Sequence, residues 1–392
     1  MNGPNGRAAR VLIIGAGSTG AATAHDLALR GLQVTVLERG EVASGTTGRN
    51  HGLLHSGGRY AVKDAESAVE CIEERDILAR IMPEVLELNG GLFVGIDESD
   101  LAYKDVFLES CAKCGIPTRD LGPAEARELE PQLNQRVLAA VEVPDGVFDP
   151  FHLTLAFLAT ARQHGAVAHT YHEVQELLVR GNAIAGAVAL DRRTGERHTY
   201  EADLVVNAGG PWAGRIAAMA GVEVPVVPTP GVMVAVAGRF VDRVINRLNK
   251  SSDGDIIVPQ RRTAVIGTSS WEVDDPDYIP IPREHVQLMF DRGGELVPAV
   301  RGAAVRGVFA VARPLIGTKV AGASGRELSR TFECFDHAHD GVEGFVTISG
   351  GKTTTARAMA EKVSDVVVGK LGLHAACRTR EVPLASYRAF YG

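Results

Sequence analysis

At 392 residues, with 45% hydrophobic and 23% charged side chains, the chain has an ordinary globular make-up but is too long for one core, so two domains, or one interrupted by another, are expected. A formal net charge of −7 argues against nucleic acid as a partner. No run reaches the ~20 apolar residues of a transmembrane segment, which points to a cytoplasmic protein, at most peripheral to the inner face of the membrane.

Residues 1–9, MNGPNGRAA, are small and polar and are expected to form a flexible tail. The stretch RVLIIGAGSTGAATAHDLALRGLQVTVLER, 10–39, then reads as strand, glycine turn, helix and strand ending in an acid. Gly15 permits the tight turn, Gly17 lets backbone approach a pyrophosphate, and Gly20 lets the helix pack closely on the strand. The helix start offers free N–H groups and the positive end of its dipole to phosphates. Glu38, at the tip of the second strand, is placed to accept from ribose hydroxyls. Five elements in the required order make this the seat of a dinucleotide's ADP half rather than a chance glycine turn.

The loop 40–61, rich in Gly, Ser, Thr, His and Arg, is too polar for core and too long for a simple connection, so a binding role is expected. Helices are predicted over 66–82, 105–114, 123–131, 150–165 and 283–296, with strands near 91–96, 116–119, 141–149, 166–179 and 305–311. Cys111 and Cys114 form a CxxC with no second pair, and the five cysteines are an odd number. They read as ordinary thiols, with neither disulfide framework nor metal centre expected. ADLVVNAGG, 202–210, repeats the pattern of a buried strand ending in small residues, and the Val- and Pro-rich 222–235 with the hairpin pattern of 255–268 suits an antiparallel sheet. A last strand, 344–349, leads through Gly350, Gly351 and Lys352 into a helix from 353 to about 371. That turn brings a second helix N-terminus toward the same ligand.

Taken in order, GAGSTGAATAHDLALRGLQVTVLER, SGTTGRNHGLLHSGGRYAVKDAESA, VPDGVFDPFHLT, VVNAGGPWA, ARPL at 312–315, SGRELSR at 324–330 and GFVTISGGKTTTARAMAE resemble the FAD-dependent glycerol-3-phosphate dehydrogenases of the D-amino-acid-oxidase superfamily, most of all the anaerobic bacterial form of the enzyme. The match runs over roughly 10–372. The resemblance implies an α/β chain: a Rossmann-like FAD-binding domain from 10–90, 141–221 and 312–372, a mostly antiparallel-sheet α+β substrate domain from 91–140 and 222–311, and a C-terminal tail, 373–392. It implies FAD along Gly15, Gly17, Ser18, Thr19, Gly20, Glu38 and Arg39, along the loop at Thr46, Thr47, Arg49, Asn50, His51 and Gly52, and against Val174, Ala208, Gly209, Trp212, Gly351, Lys352, Thr353 and Thr354. It puts His55, Arg59 and Tyr60 beside the flavin, with Arg59, Tyr60, Arg313, Arg330 and Lys352 on the substrate and with His55 and Arg313 as the catalytic pair. A buried phosphate dianion needs several cations and fixed donors, which this set would supply.

Three departures stand out: Pro230, Gly231 and Val232 where relatives carry Lys-Gly-Ser, Ala356 in place of a tyrosine before Arg357, and an end at Gly392 without the cysteine-rich C-terminal module. The first two bear on which polyol is taken. The third leaves electrons to pass to a quinone, a carrier or oxygen, directly or through a partner subunit. The implied reaction moves the carbinol hydride to flavin N5 while a base, His55, takes the hydroxyl proton. The residues leave alternatives open: a hydroxy acid or amine as substrate, a flavin-binding protein without catalysis, and a purely structural His55.

Overall fold

The computed structural model describes residues 8–317 and 331–391. Its first layer is a six-stranded sheet in the order Phe332–Asp336, Phe345–Gly350, Leu204–Asn207, Arg10–Ile14, Gln33–Leu37, Val167–His169. All neighbours run parallel except the edge strand Phe332–Asp336. Because side chains alternate along a strand, Val11 and Ile13 pack into a core with the helices Ser18–Leu29, Pro150–Gln163 and Ala356–Lys370. Leu12 and Ile14 turn the other way, onto Leu177, Ile184, Ala187 and Ala189 of a three-stranded antiparallel sheet, His172–Arg180, Ala183–Asp191 and Arg197–Glu201. Burial on both faces is why the opening strand reads as a bare apolar run.

The second unit is an eight-stranded sheet: Val305–Ile316, Val226–Ala237, Thr263–Gly267, Ile256–Gln260, Val244–Arg247, Gly91–Gly95, Ala139–Val143, Arg119–Leu121. One pair, Val244–Arg247 with Gly91–Gly95, is parallel and the other neighbours are antiparallel. Val232, Val234 and Val236 point to a core under the helix Arg283–Leu296. Gly231 and Met233, on the opposite face with Val311 and Arg313 of the neighbouring strand, are thereby turned toward the cleft between the two units. Pro228 and Pro230 sit where Val226–Ala237 pairs only with Val305–Ile316, the strand Thr263–Gly267 joining from Met233 onward. The missing proline N–H groups therefore cost no ladder bond there.

The structure amends three expectations. The boundaries 140/141 and 311/312 fall inside the strands Ala139–Val143 and Val305–Ile316, which belong whole to the large sheet. The segment after the last helix is packed down: Leu384 and Phe390 join the core of the first unit, and Ala385 N donates to Thr160 Oγ1 at 2.8 Å. At the other end residues 1–7 of the expected tail lie outside the described residues, while Ala9 is 2% exposed and its carbonyl accepts from Gln33 N.

Candidate active site

The cleft has a volume of about 590 Å³. One end is built almost entirely from backbone and short side chains. Gly15 has φ +107°, and a Cβ there would lie 2.6 Å from Ala208 O. A Cβ on Gly20 would lie 2.0 Å from Gly15 O, so Gly20 sets the helix against the strand and does not itself line the cleft. Gly17, Ser18 and Thr19 do line it, with Ser18 N donating to Thr47 Oγ1 at 3.0 Å. Glu38 is fixed by two backbone donors, Ala16 N on Oε2 (2.9 Å) and Gly40 N on Oε1 (2.8 Å). Val174, Ala208 and Gly209 complete the wall, the last two held by Asn207, whose Oδ1 accepts from Gly209 N while Nδ2 donates to Ala213 O.

Over this end lies a clasp that the sequence did not suggest. The Arg39 guanidinium stacks 3.9 Å from the Trp212 ring centroid, and both donate to Asp277 Oδ1 (2.9 and 3.0 Å). Arg215 joins from the other side, to Asp277 Oδ2 at 2.8 Å and Asp275 Oδ1 at 2.7 Å. Asp277 comes from an irregular stretch between a strand and a helix of the second unit, with no apolar period or glycine motif to mark it.

The loop 44–54 crosses between the ends. Thr46 Oγ1 donates to Ala312 O (2.7 Å), and Asn50 Nδ2 donates to Thr47 O (2.6 Å) and Thr353 Oγ1 (3.3 Å). Arg49 and His51 also line the cleft, as do Gly351, Thr353 and Thr354 from the late turn. Gly52 does not: it has φ +74°, and a Cβ there would lie 2.0 Å from Gln260 Nε2 and 2.7 Å from Phe148 O, so it shapes the loop.

The other end is cationic. His55, Arg59, Tyr60, Arg313 and Lys352 come together there. Arg313 is oriented by four neutral acceptors: Nε donates to Thr229 O (3.0 Å), and Nη2 to Pro230 O (2.9 Å), Ser269 O (3.1 Å) and Ser270 Oγ (2.9 Å). Lys352 Nζ lies 4.8 Å from the centroid of the Tyr60 ring, which in turn lies 5.3 Å from that of His55. Arg59 is engaged from behind, with Nη2 2.5 Å from Oδ1 of the buried Asp255. Its charge is thus matched by a carboxylate of the second unit. Arg330, with the whole SGRELSR motif, lies outside the described residues.

Burial holds both histidines neutral. His51 is pushed down to about 3, first by desolvation and then by Arg59 and Arg313. His55 falls well below the ordinary imidazole value, by desolvation and then by His51, Lys352 and Arg59. Both are therefore uncharged at neutral pH; the lone pair of His51 is taken at Nδ1 by Leu53 N (3.1 Å), which leaves its Nε2 as a donor. Behind them the buried Asp145 accepts from Ser56 N (2.8 Å) and Asn246 Nδ2 (3.3 Å), which fixes the loop carrying His55. Arg357, which follows Ala356, is turned away from the cleft into a fully buried double hydrogen bond with Glu74 (2.6 and 2.8 Å). Cys71, Cys111 and Cys334 are free, and burial pushes their thiols up to about 12.

Comparison with known proteins bears directly on this arrangement. A family model described as FAD dependent oxidoreductase matches residues 10–365. The chain is 46% identical over 392 aligned residues to the A1 subunit of the anaerobic glycerol-3-phosphate dehydrogenase of Haloferax volcanii, covering 97% of this chain and 67% of that protein. It is 42% identical to the corresponding subunit of the Escherichia coli K12 enzyme, covering 95% and 69%. Among solved structures, the Bacillus halodurans glycerol-3-phosphate dehydrogenase complexed with FAD superposes with a TM-score of 0.76 at 26% identity, covering 98% of this chain and 70% of that one. A glycine oxidase from Geobacillus kaustophilus shares the fold, with a TM-score of 0.74 at 21% identity and coverage of 96% and 99%. The chain belongs to the FAD dependent oxidoreductase family, an enzyme family whose cofactor is FAD.

Proposed function

We propose that the protein oxidises sn-glycerol 3-phosphate to dihydroxyacetone phosphate, with FAD seated along the cleft and the reacting carbinol at its cationic end. The observation that carries this reading is the convergence of Arg313, Lys352 and Tyr60 beside two neutral histidines, in a chain 42–46% identical to its glycerol-3-phosphate dehydrogenase relatives. The residues at the glycine end fit the cofactor. A Cβ at Gly15 would close the space against Ala208, and the firmly held Glu38 suits the ribose hydroxyls. When bound, FAD supplies the two-electron acceptor for the carbinol C–H.

In this reading Arg313 and Lys352 hold the phosphate, Arg313 through N–H groups aimed by its carbonyl neighbours. Tyr60, under the Lys352 ammonium, helps fix it in place. Arg59, matched by Asp255, braces the loop instead of meeting substrate with its full charge. His55 takes the hydroxyl proton: burial keeps its imidazole unprotonated throughout the neutral range, and the same depression makes it a weak base until substrate charge arrives beside it. The clasp of Arg39, Trp212 and Asp277 keeps the nucleotide end in place.

None of the described helices is long and apolar enough to cross a membrane. We place the protein in the cytoplasm, at most peripheral to the inner face of the membrane, with a quinone, a soluble carrier or oxygen taking the electrons directly or through a partner subunit. Steady-state assay with an artificial dye acceptor tests the substrate assignment. Turnover with glycerol 3-phosphate at least a hundredfold better than with glycerol, lactate or glycine is expected, and preference for a hydroxy acid or amine would refute it.

A further inference from the structure

We propose that His172, Asp191 and His198 form a site for one divalent transition-metal ion, with Zn²⁺ the ion best matched by the ligand set. The site is separate from the reaction centre, and its assignment does not depend on the substrate. The sheet register makes it. His172 stands directly opposite Asp191, and His198 opposite Ala189, two residues earlier on the same strand. With side chains alternating, all three project to one face of the three-stranded sheet, the face on which Ala189 packs toward the six-stranded sheet.

One donor atom from each residue lies within 4.8 Å of the others. Zinc bonds of about 2.0–2.1 Å put tetrahedral donors roughly 3.4 Å apart, so a small rotamer adjustment closes the set. The histidine least free to move is already in the tautomer a metal requires. His172 Nδ1 lies 2.9 Å from Thr170 O, and since a carbonyl only accepts, that nitrogen carries the proton and Nε2 keeps its lone pair. A ligating histidine whose other nitrogen donates to a backbone carbonyl is the usual support for zinc. His172 and Asp191 are 7% and 8% exposed, which limits their motion, while the half-exposed His198 leaves a side for water as fourth ligand. Asp191 Oδ1 is occupied by Arg193 N at 2.9 Å, with the Arg193 guanidinium 3.7 Å away, and a carboxylate has a second oxygen to offer. The His169 and Tyr200 rings wall the cluster, at 5.1 and 6.1 Å from His172.

The position matters because His172 N donates to Glu38 O at 2.7 Å. An ion held here ties three strands to the turn that presents Glu38 to the cleft.

The test uses untagged, FAD-loaded protein stripped of metal and titrated with Co²⁺, then with Zn²⁺ in competition. One equivalent is expected, with the visible band of tetrahedral nitrogen–oxygen ligation and no thiolate charge-transfer band. His172→Ala and His198→Ala should each weaken Zn²⁺ at least about tenfold, and His198→Ala, whose side chain is not part of the cleft lining, should leave FAD content unchanged. His198 is exposed enough that its loss leaves folding intact, so that variant decides the matter if His172→Ala is unstable. No saturable binding by wild type, a thiolate band, or equal affinity in wild type and His198→Ala would overturn the site.

Discussion

At the glycine end of the cleft, the lining from Ile14 to Thr19 and from Leu37 to Arg39 comes from one short stretch, and its polar contacts are mostly backbone. At the cationic end, His51 to Tyr60, Arg313 and Lys352 meet from three separate parts of the chain, and the polar groups are side chains. The first end works through the space that glycines leave and through N–H groups any residue would provide. The second works through charge and proton affinity, which depend on what buries each group. Changes at the first end should therefore act on cofactor content and stability, and changes at the second on substrate and rate.

The largest effect that would sharpen this contrast is at Gly20. Its Cβ would sit 2.0 Å from Gly15 O, a backbone atom with nowhere to go. Gly20→Val should cost about 3–5 kcal/mol and abolish FAD retention, seen as a lowered urea midpoint and colourless protein. A stable yellow variant would mean the helix can move off the strand.

Arg313→Ala comes next. Truncating one partner of a buried charged contact costs about 2–5 kcal/mol, so kcat/KM for glycerol 3-phosphate should fall by about 30-fold or more while FAD content stays at wild-type level. Arg313→Lys should recover only part, because an ammonium cannot reproduce the fork held by Thr229, Pro230 and Ser270. If FAD is lost with Arg313, the division between the two ends is wrong.

A smaller effect is expected at Glu38. Glu38→Ala frees two backbone donors and removes the ribose acceptor, so FAD should bind roughly tenfold more weakly, at about 1.4 kcal/mol. Fluorescence of released FAD measures this, and substrate KM in the reconstituted variant should not change.

The smallest effect is a pH slope. His25 is fully buried, neither ring nitrogen has a hydrogen-bond partner among the described residues, and it is pushed down to about 3 by desolvation, then by His164 and Arg357. The unfolded chain binds that proton first, so folding stability falls as pH drops from the ordinary histidine value toward 3, by up to about 1.4 kcal/mol per pH unit. Buried carboxylates such as Asp26 and Glu74, raised by desolvation, act in the opposite direction. The difference between wild type and His25→Leu isolates the histidine: the variant's thermal midpoint should decline less between pH 6.5 and 5. Equal slopes would mean that His25 is protonated or solvated in the folded state.

The same contrast explains what the sequence made legible. The strand, turn, helix and acid of 10–39 are local, and the turn's glycines could be assigned roles from spacing alone. Arg313 and Lys352 could be placed only by resemblance, since nothing local tells which face a lysine after Gly-Gly will meet. Arg59 was expected on substrate because it is basic and in a matched motif, yet Asp255, remote in sequence, lies against it. The Asp277 clasp went unseen for the same reason, as did the end of the chain, whose Leu384 and Phe390 have no periodic neighbours to mark them as core. The metal cluster needed strand register: His172, Asp191 and His198 follow no ligand spacing along the chain.

Anaerobic titration of the FAD-loaded protein with sn-glycerol 3-phosphate tests the central claim most directly. Stoichiometric bleaching of the oxidised flavin absorbance is expected in wild type, with far higher substrate needed in Arg313→Ala. An undiminished flavin spectrum in wild type at millimolar substrate would contradict it.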